Sequence, residues 1–343
     1  MQRELGLVGV VKLASNENPL GPSPRAIDAG RAAMAEVHRY PDPQATELRA
    51  ELSAHLGMPA SHIVVGNGSV EVIDLIARTF LGPGDNAVIS EHAFVRYRQI
   101  VAAHNHGARL VPMRGWTHDL VAMAKAIDGE TRLVFVANPN NPTGTWNRRT
   151  EVETLVAALP PRCLLVLDEA YFEYTDDPDY PNGIDLVRRG APVIVTRTFS
   201  KVHGLGGLRA GYAVAAPEVL EALLVIREAF GTNAVAQAAA TAALGDAEHV
   251  RRSVQMNRAE RARVEGALRD RGFEVLPSLA NFVTFDTRGE GRDVFRRLLA
   301  RGVIVRPLDP YAMRSWLRVS IGTPPENTAF LAALDAVLPG KRS

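Results

Sequence analysis

Between about Thr46 and Ala216 the chain alternates segments of helical period with short apolar runs, and few folds accept that alternation. "TELRAELSAHLG" and "VEVIDLIARTFLG" place their apolar residues on one helix face, and the second stops at Gly-Pro-Gly. The runs "HIVVG", "NAVIS", "ARLVPM", "RLVFVANP", "CLLVLDE", "PVIVTRTFS" and "AGYAVAA" are too short for helices and read as strands. Strands that are apolar on both faces need cover on both faces. The pattern therefore predicts an α/β fold, a mostly parallel sheet flanked by helices.

After about Pro217 the pattern changes. Long helices are predicted in "EVLEALLVIREAF", "AVAQAAATAAL" and "HVRRSVQMNRAERARVEGALRDRG". Three short strands follow, "FEVL", "NFVTF" and "WLRVSIG", interleaved with helices at "GRDVFRRLLARG" and "PPENTAFLAALDAVL". This reads as a smaller α+β C-terminal domain, and a chain of 343 residues is indeed long for one core. The expected division is an N-terminal segment 1–34 packing with the small domain, a large domain 35–235 and a small domain 236–343. The alternating charges of Arg251 to Arg271 mark a solvated helix face.

A formal net charge of +1 excludes partners held by bulk electrostatics, so no nucleic acid is expected and any anion must be bound locally. The single cysteine, Cys163, excludes an internal disulfide, suits a reducing compartment, and reads as a buried structural thiol. No stretch approaches the roughly 18–20 apolar residues of a membrane span, and "MQRELGLVGVVKLASNENPLG" lacks a signal-peptide core. A cytoplasmic protein without membrane attachment is expected, and "NGS" at Asn67 is then no glycosylation site. No metal site is expected.

In open parallel sheets, ligands sit beyond the carboxyl ends of the strands. Asn67-Gly68-Ser69, Asn138 to Gly144, Asp168, and Thr198 to Lys201 each follow a predicted strand. In "RTFSKVHGLGGLRAGY" the glycines do not spell a dinucleotide fingerprint, because Arg209 occupies a position that would need glycine. What remains is Lys201 with Thr198, Ser200 and Arg209 around it, two hydroxyls and a guanidinium able to converge on one phosphate. The lysine could neutralise that phosphate or do chemistry.

"LLVLDEAY" sets Asp168 at the end of a buried strand with Tyr171 three residues on. A carboxylate there is costly without a cationic partner, and a protonated pyridine nitrogen would be one. A helix cap is the plainer alternative. "NPNNPTG" is either a rigid turn or a source of fixed amide donors for a phenolate oxygen. "GNGSVE" places Gly-Ser at a helix start, where free N–H groups favour a phosphate.

Together these motifs resemble the fold-type-I pyridoxal-phosphate-dependent aminotransferases, and within them the histidinol-phosphate aminotransferase branch. The resemblance runs from "KLASNENPLGP" through "RYPDPQATELRAEL", "NPNNPTG", "DEAY" and "TFSKVHGLGGLRAGY" to "GVIVRPL" and "WLRVSIGTPPENTAFLAAL". It implies a seven-stranded, mostly parallel sheet in the large domain and pyridoxal 5'-phosphate as cofactor. By resemblance, Lys201 would join the cofactor aldehyde and later serve as the base that moves the substrate proton. Asp168 would face the ring nitrogen, with Asn141 and Tyr171 on the ring hydroxyl and Phe94 stacked on the ring. Thr198, Ser200, Arg209 and the amides of Gly68 and Ser69 would bind the phosphate. Tyr40 would reach that phosphate from the neighbouring subunit of a homodimer with shared active sites. Arg318 is similar to the arginine that grips the substrate anion, and Asn16 and Arg306 are further substrate-side candidates.

Departures are visible. Val70 stands where relatives commonly carry a polar or acidic residue, which leaves only a backbone contribution there. "PLDPYAM" replaces a "GYGM"-like turn near the substrate pocket. The N-terminal arm begins late, so fewer residues are expected to cover the site. The expected function is transfer of an amino group from histidinol phosphate to 2-oxoglutarate, in histidine biosynthesis. The alternatives are an aromatic (phenylalanine/tyrosine) aminotransferase, a phospho-amino-acid decarboxylase using the same cofactor, and a cofactor-binding scaffold without activity.

Overall fold

A computed structural model of the chain describes residues 9–337. Residues 1–8, the start of the N-terminal segment, lie outside the described residues. The strands, in chain order, are β1 (Val11–Lys12), β2 (Ile63–Gly66), β3 (Asn86–Ser90), β4 (Gly107–Val111), β5 (Thr131–Ala137), β6 (Leu164–Asp168) and β7 (Val193–Thr198). They continue with β8 (Gly211–Val214), β9 (Glu274–Val275), β10 (Phe282–Asp286), β11 (Val303–Ile304), β12 (Arg306–Leu308) and β13 (Met313–Ser320).

Seven strands make the large sheet, in the order β2-β8-β7-β6-β5-β3-β4. All its pairings are parallel except those of β8, which runs antiparallel to β2 and β7. The central strands are buried on both sides because successive residues alternate between faces. Val134, Leu165 and Val195 enter one core with Leu48, Leu52 and Val65, whereas their neighbours Phe135, Val166 and Ile194 enter the opposite core with Ile73, Ile76 and Tyr97. Each fully buried side chain of this size contributes about 1.5–3 kcal/mol. At the sheet edge, β4 leaves all but Val111 exposed.

The second sheet is antiparallel, in the order β12-β13-β10-β9. Its strands β9, β10 and β13 fall where the sequence places strands. Two pairings were not legible there. In β12 a proline breaks the apolar pattern, and β1 and β11 are two residues each, too short for any periodicity. Yet Val11 N–H donates to Gly302 O at 2.8 Å and Leu13 N–H to Ile304 O at 2.7 Å, tying the N-terminal strand to the C-terminal unit. The helix Pro24–Ala33 goes the other way. It packs on the helix Ala234–Leu244, with Ala26 in a core beneath the large sheet.

Candidate active site

Asp168 ends β6, Thr198 ends β7 and Ala137 ends β5, so the parallel geometry delivers all three to one edge of the sheet. Facing that edge, β12 and β13 bring Arg306 and Arg318, paired in register. Between them lies a cavity of about 350 Å³. It is lined by Asn16, Ser69, Phe94, Asn141, Asp168, Tyr171, Thr198, Ser200, Lys201, Arg209, Arg306 and Arg318, all of them singled out from the sequence.

Two further candidates are placed elsewhere. Gly68 caps the helix Ser69–Phe80 with φ 86°, but its N–H donates to Gly66 O at 2.8 Å and is not free. The Gly68 N–H is thus engaged within the chain, whereas the first-turn N–H groups of Ser69 and Val70 have no helical carbonyl behind them and, among the described residues, no acceptor. A Cβ on Gly68 would meet the Arg209 guanidinium at 2.6 Å, so glycine is what lets Arg209 close over this corner. Tyr40 is 82% exposed, away from the cavity of its own chain, and stacks on Phe230 at 4.7 Å between ring centroids.

The phosphate-like corner is pre-organised by short-range bonds. Thr198 Oγ1 lies 3.0 Å from Ser200 Oγ, Ser200 N–H donates to Thr198 Oγ1 at 3.1 Å, and Arg209 Nη1 donates to Gly206 O at 2.9 Å. Lys201 is half-buried next to it, its Nζ 3.3 Å from Ser15 O and 5.7 Å from the centroid of the Tyr171 ring. Enclosure by protein, reinforced by the Arg318 guanidinium, pushes its amine down to about 8.

Asp168 is buried. Burial raises its carboxyl above the usual range, against a 2.7 Å hydrogen bond donated by the Tyr97 hydroxyl and a 3.2 Å bond from Ala170 N–H. It is not a helix cap, since the short helix after it, Phe172–Tyr174, has Tyr171 at its cap position. Of the two proline-preceding asparagines in "NPNNPTG", only Asn141 reaches the cavity, where its Oδ1 accepts from Arg318 Nη1. Asn138 is buried instead, with its amide exchanging bonds with the Asn147 backbone at 3.1 and 2.8 Å.

Two tyrosines of the lining were missed. Tyr97 sits three residues after Phe94 and reads as a helix core position; its phenol is nevertheless the partner of Asp168. Tyr311, in the divergent "PLDPYAM", is 6% exposed and enters the substrate end beside Pro310. A polar aromatic following a strand and a short loop was the available signal for the first; the proline-flanked tyrosine was the signal for the second. Cys163 is fully buried, and burial pushes its thiol up to about 11, as for an inert structural thiol.

The arrangement is thus an enclosed amine with a low proton affinity, a buried acid, a set of phosphate-sized donors and two guanidiniums. Known proteins resemble this chain over nearly its whole length. The profile of the family described as "Aminotransferase class I and II" matches residues 8–334. Histidinol-phosphate aminotransferase 2 of Pseudomonas aeruginosa is 46% identical over 98% of this chain and 92% of its own. Histidinol-phosphate aminotransferase of an Anaeromyxobacter species is 48% identical over 98% of this chain and 93% of its own. Among solved structures, histidinol-phosphate aminotransferase from Sinorhizobium meliloti in complex with pyridoxal-5'-phosphate superposes with a TM-score of 0.91, at 31% identity over 98% of this chain and 93% of that one.

Proposed function

The chain belongs to the class I and II aminotransferase family and is a pyridoxal-phosphate-dependent aminotransferase, and on that premise we propose that it moves the amino group of histidinol phosphate to 2-oxoglutarate. The residues present fit the cofactor. Ser69 and Val70 N–H groups, Thr198, Ser200 and Arg209 would hold its phosphate, and Gly68 keeps clear the corner that a Cβ would fill. Asp168 would meet the ring nitrogen, Asn141 and Tyr171 the ring oxygen, and Phe94 a ring face. When bound, the cofactor supplies an electron sink that makes the amino-bearing carbon of the substrate acidic.

The chain's own residues supply the rest. With its amine pushed down to about 8, Lys201 has a useful unprotonated fraction near neutral pH, as both attachment to an aldehyde and proton abstraction require. Asp168, kept in place by the Tyr97 hydroxyl, provides negative charge where a protonated ring nitrogen needs it. Arg318 donates through Nη2 to Ala14 O at 3.1 Å and Arg306 through Nε to the same oxygen at 3.1 Å, so two guanidiniums converge at the substrate end. That pair suits a phosphate dianion in one half-reaction and a carboxylate in the other.

The observation that carries this reading is Arg318, 5% exposed and without a carboxylate partner among the described residues, beside the low-affinity amine of Lys201. The experiment is a comparison of amino donors on the purified protein with 2-oxoglutarate as acceptor. Histidinol phosphate should exceed phenylalanine and tyrosine in kcat/KM. A preference for an aromatic amino acid, or carbon dioxide release without need of a keto acid, would replace it.

We also propose a cytoplasmic homodimer in which Tyr40 completes the partner's site. In support, Tyr40 and Phe230 stack on one another while exposed, and Met34 and Val37, close before Tyr40 in the chain, are exposed as well, apolar surface of the kind that protein partners cover. Light scattering should give twice the chain mass of 37.2 kDa, and a monomer that turns over substrate at full rate would refute the shared site.

A further inference from the structure

We propose that Ser320 is a positioning residue for Tyr171: acting through the side chain of Asn16, its hydroxyl keeps the phenol proton of Tyr171 aimed into the cavity. The proposal rests on the reading that the cavity holds pyridoxal phosphate. What carries it is the direction of a chain of hydrogen bonds. Asn16 N–H donates to Ser320 Oγ at 2.7 Å, and the Ser320 hydroxyl donates to Asn16 Oδ1 at 3.0 Å. That second bond fixes which end of the amide is oxygen. Asn16 Nδ2 therefore faces Tyr171 and donates to its hydroxyl oxygen at 2.9 Å. A phenol that accepts from Asn16 still has its own proton to give, and among the described residues no protein group takes it. Tyr171 lines the cavity, so the cavity is where that proton points.

The relay is dry and anchored. Asn16, Ser320 and Tyr171 are 1%, 3% and 4% exposed, which keeps water from exchanging partners with them. Asn16 adopts a left-handed backbone with φ 55°, a conformation asparagine tolerates better than most residues, and Asn281 Nδ2 holds its carbonyl at 3.0 Å. Without the Ser320 hydroxyl nothing fixes the amide. Turned over, it would offer Oδ1 to Tyr171 and draw the phenol proton away from the cavity. Ser320 lies two residues from Arg318 on β13, hence on the same face, so the strand that presents the anion grip also sets the donor at the ring oxygen. The charged and titratable groups facing Tyr171 are Arg318, Asp168, Tyr311, Lys201, Tyr97 and Tyr174.

The test is a pH titration of the visible absorbance of the cofactor bound at Lys201 in the holoenzyme, with thermal unfolding alongside. A donor to the ring oxygen favours its more anionic form, so Tyr171→Phe should move the midpoint upward. Ser320→Ala should move it the same way by roughly 0.5–1 pH unit, the effect of one weakened hydrogen bond. Ser320→Thr, which keeps the hydroxyl, should restore it, and Ser320→Ala should add nothing in a Tyr171→Phe background. An unmoved midpoint in cofactor-loaded Ser320→Ala, or an equal shift without the Tyr171 hydroxyl, overturns the relay. If Ser320→Ala does not fold, Asn16→Ala removes the middle link and is read by the same two criteria. A wild-type chain that takes up no pyridoxal phosphate would sink the functional reading instead.

Discussion

Arg197 and Arg318 are buried to nearly the same degree, 4% and 5% exposed, and the protein treats them in opposite ways. Arg197, beneath the sheet, donates through Nε and Nη2 to Glu169 Oε2 at 2.9 and 2.7 Å and through Nη2 to Asn182 Oδ1 at 3.0 Å. Its guanidinium also lies 3.5 Å from the centroid of the Phe172 ring. Burial disfavours its charge, but the Glu169 carboxylate outweighs burial and holds it more firmly protonated than usual. Arg318, in the cavity, bonds only to neutral oxygens, those of Asn141 and Ala14, and its buried Nε has no partner. Burial lowers its proton affinity, opposed by the phenols of Tyr171 and Tyr311 but by no carboxylate. A cation with its counter-charge built in is part of the frame; one left without is a binding site kept at some cost in stability.

Removing the paired cation should have the larger effect on the fold. Arg197→Met leaves Glu169 buried without its partner, and unfolding in denaturant should show a loss of about 3–5 kcal/mol. Replacing Glu169 as well, in Glu169→Gln/Arg197→Met, should return part of that loss, because no charge is then stranded. A single substitution costing under about 1 kcal/mol would mean that the ion pair is not the closed unit described.

Arg318→Ala should do the reverse. It removes a charge that nothing inside the protein balances, so stability should hold or rise, and the cofactor should stay bound. Turnover is where it should be felt. Steady-state kcat/KM for the amino donor and for the keto acid should each fall about 10²–10³-fold, the loss of a charge-assisted pair of roughly 3–4 kcal/mol. If either half-reaction survived unchanged, Arg318 would not be the anion grip.

The same contrast shows how far the sequence could be read. Adjacent strand residues face opposite sides, so Asp168 and Glu169 cannot both enter one cavity, nor can Arg197 and Thr198. The position of Asp168 at the end of an apolar run pointed to the cavity, and the fold puts it there, with Glu169 turned under the sheet to meet Arg197. Periodicity and turn chemistry also sufficed for the seven strands of the large sheet. Contacts that join distant segments left no such trace. Tyr97 meets Asp168 across 71 positions, and Asn16 meets Ser320 across 304, with nothing local to announce either. In "NPNNPTG" the two asparagines that precede proline share one local context, and only packing decides that Asn141 faces the cavity while Asn138 bonds Asn147. The short strands β1, β11 and β12 exist because neighbours pair with them, not because their residues favour extension.

The smallest expected effect links the unpaired arginine to the reactive amine. Enclosure, followed by the field of Arg318, brings Lys201 from an ordinary value of 10.5 down to about 8. Between those two values the unfolded chain holds a proton that the folded chain has released, so this group makes the cofactor-free protein gain stability as pH rises through that window. Below about 8 both states are protonated, and the folded one bears the full cost of the enclosed charge. Only the neutral amine can attack an aldehyde, so the rate at which cofactor-free protein takes up pyridoxal phosphate should climb with pH and level off above about 8. Arg318→Ala removes one of the two named causes and should raise that midpoint by a fraction of a pH unit, while Arg197→Met, a cation neutralised by Glu169 in the parent protein and not among the groups that shift Lys201, should leave it in place. Stopped-flow absorbance across pH 6 to about 10 reads both variants. A midpoint near that of free lysine, or one moved equally by the two substitutions, would show that the amine does not sense the uncompensated guanidinium, and the contrast between the two arginines would then hold for stability alone.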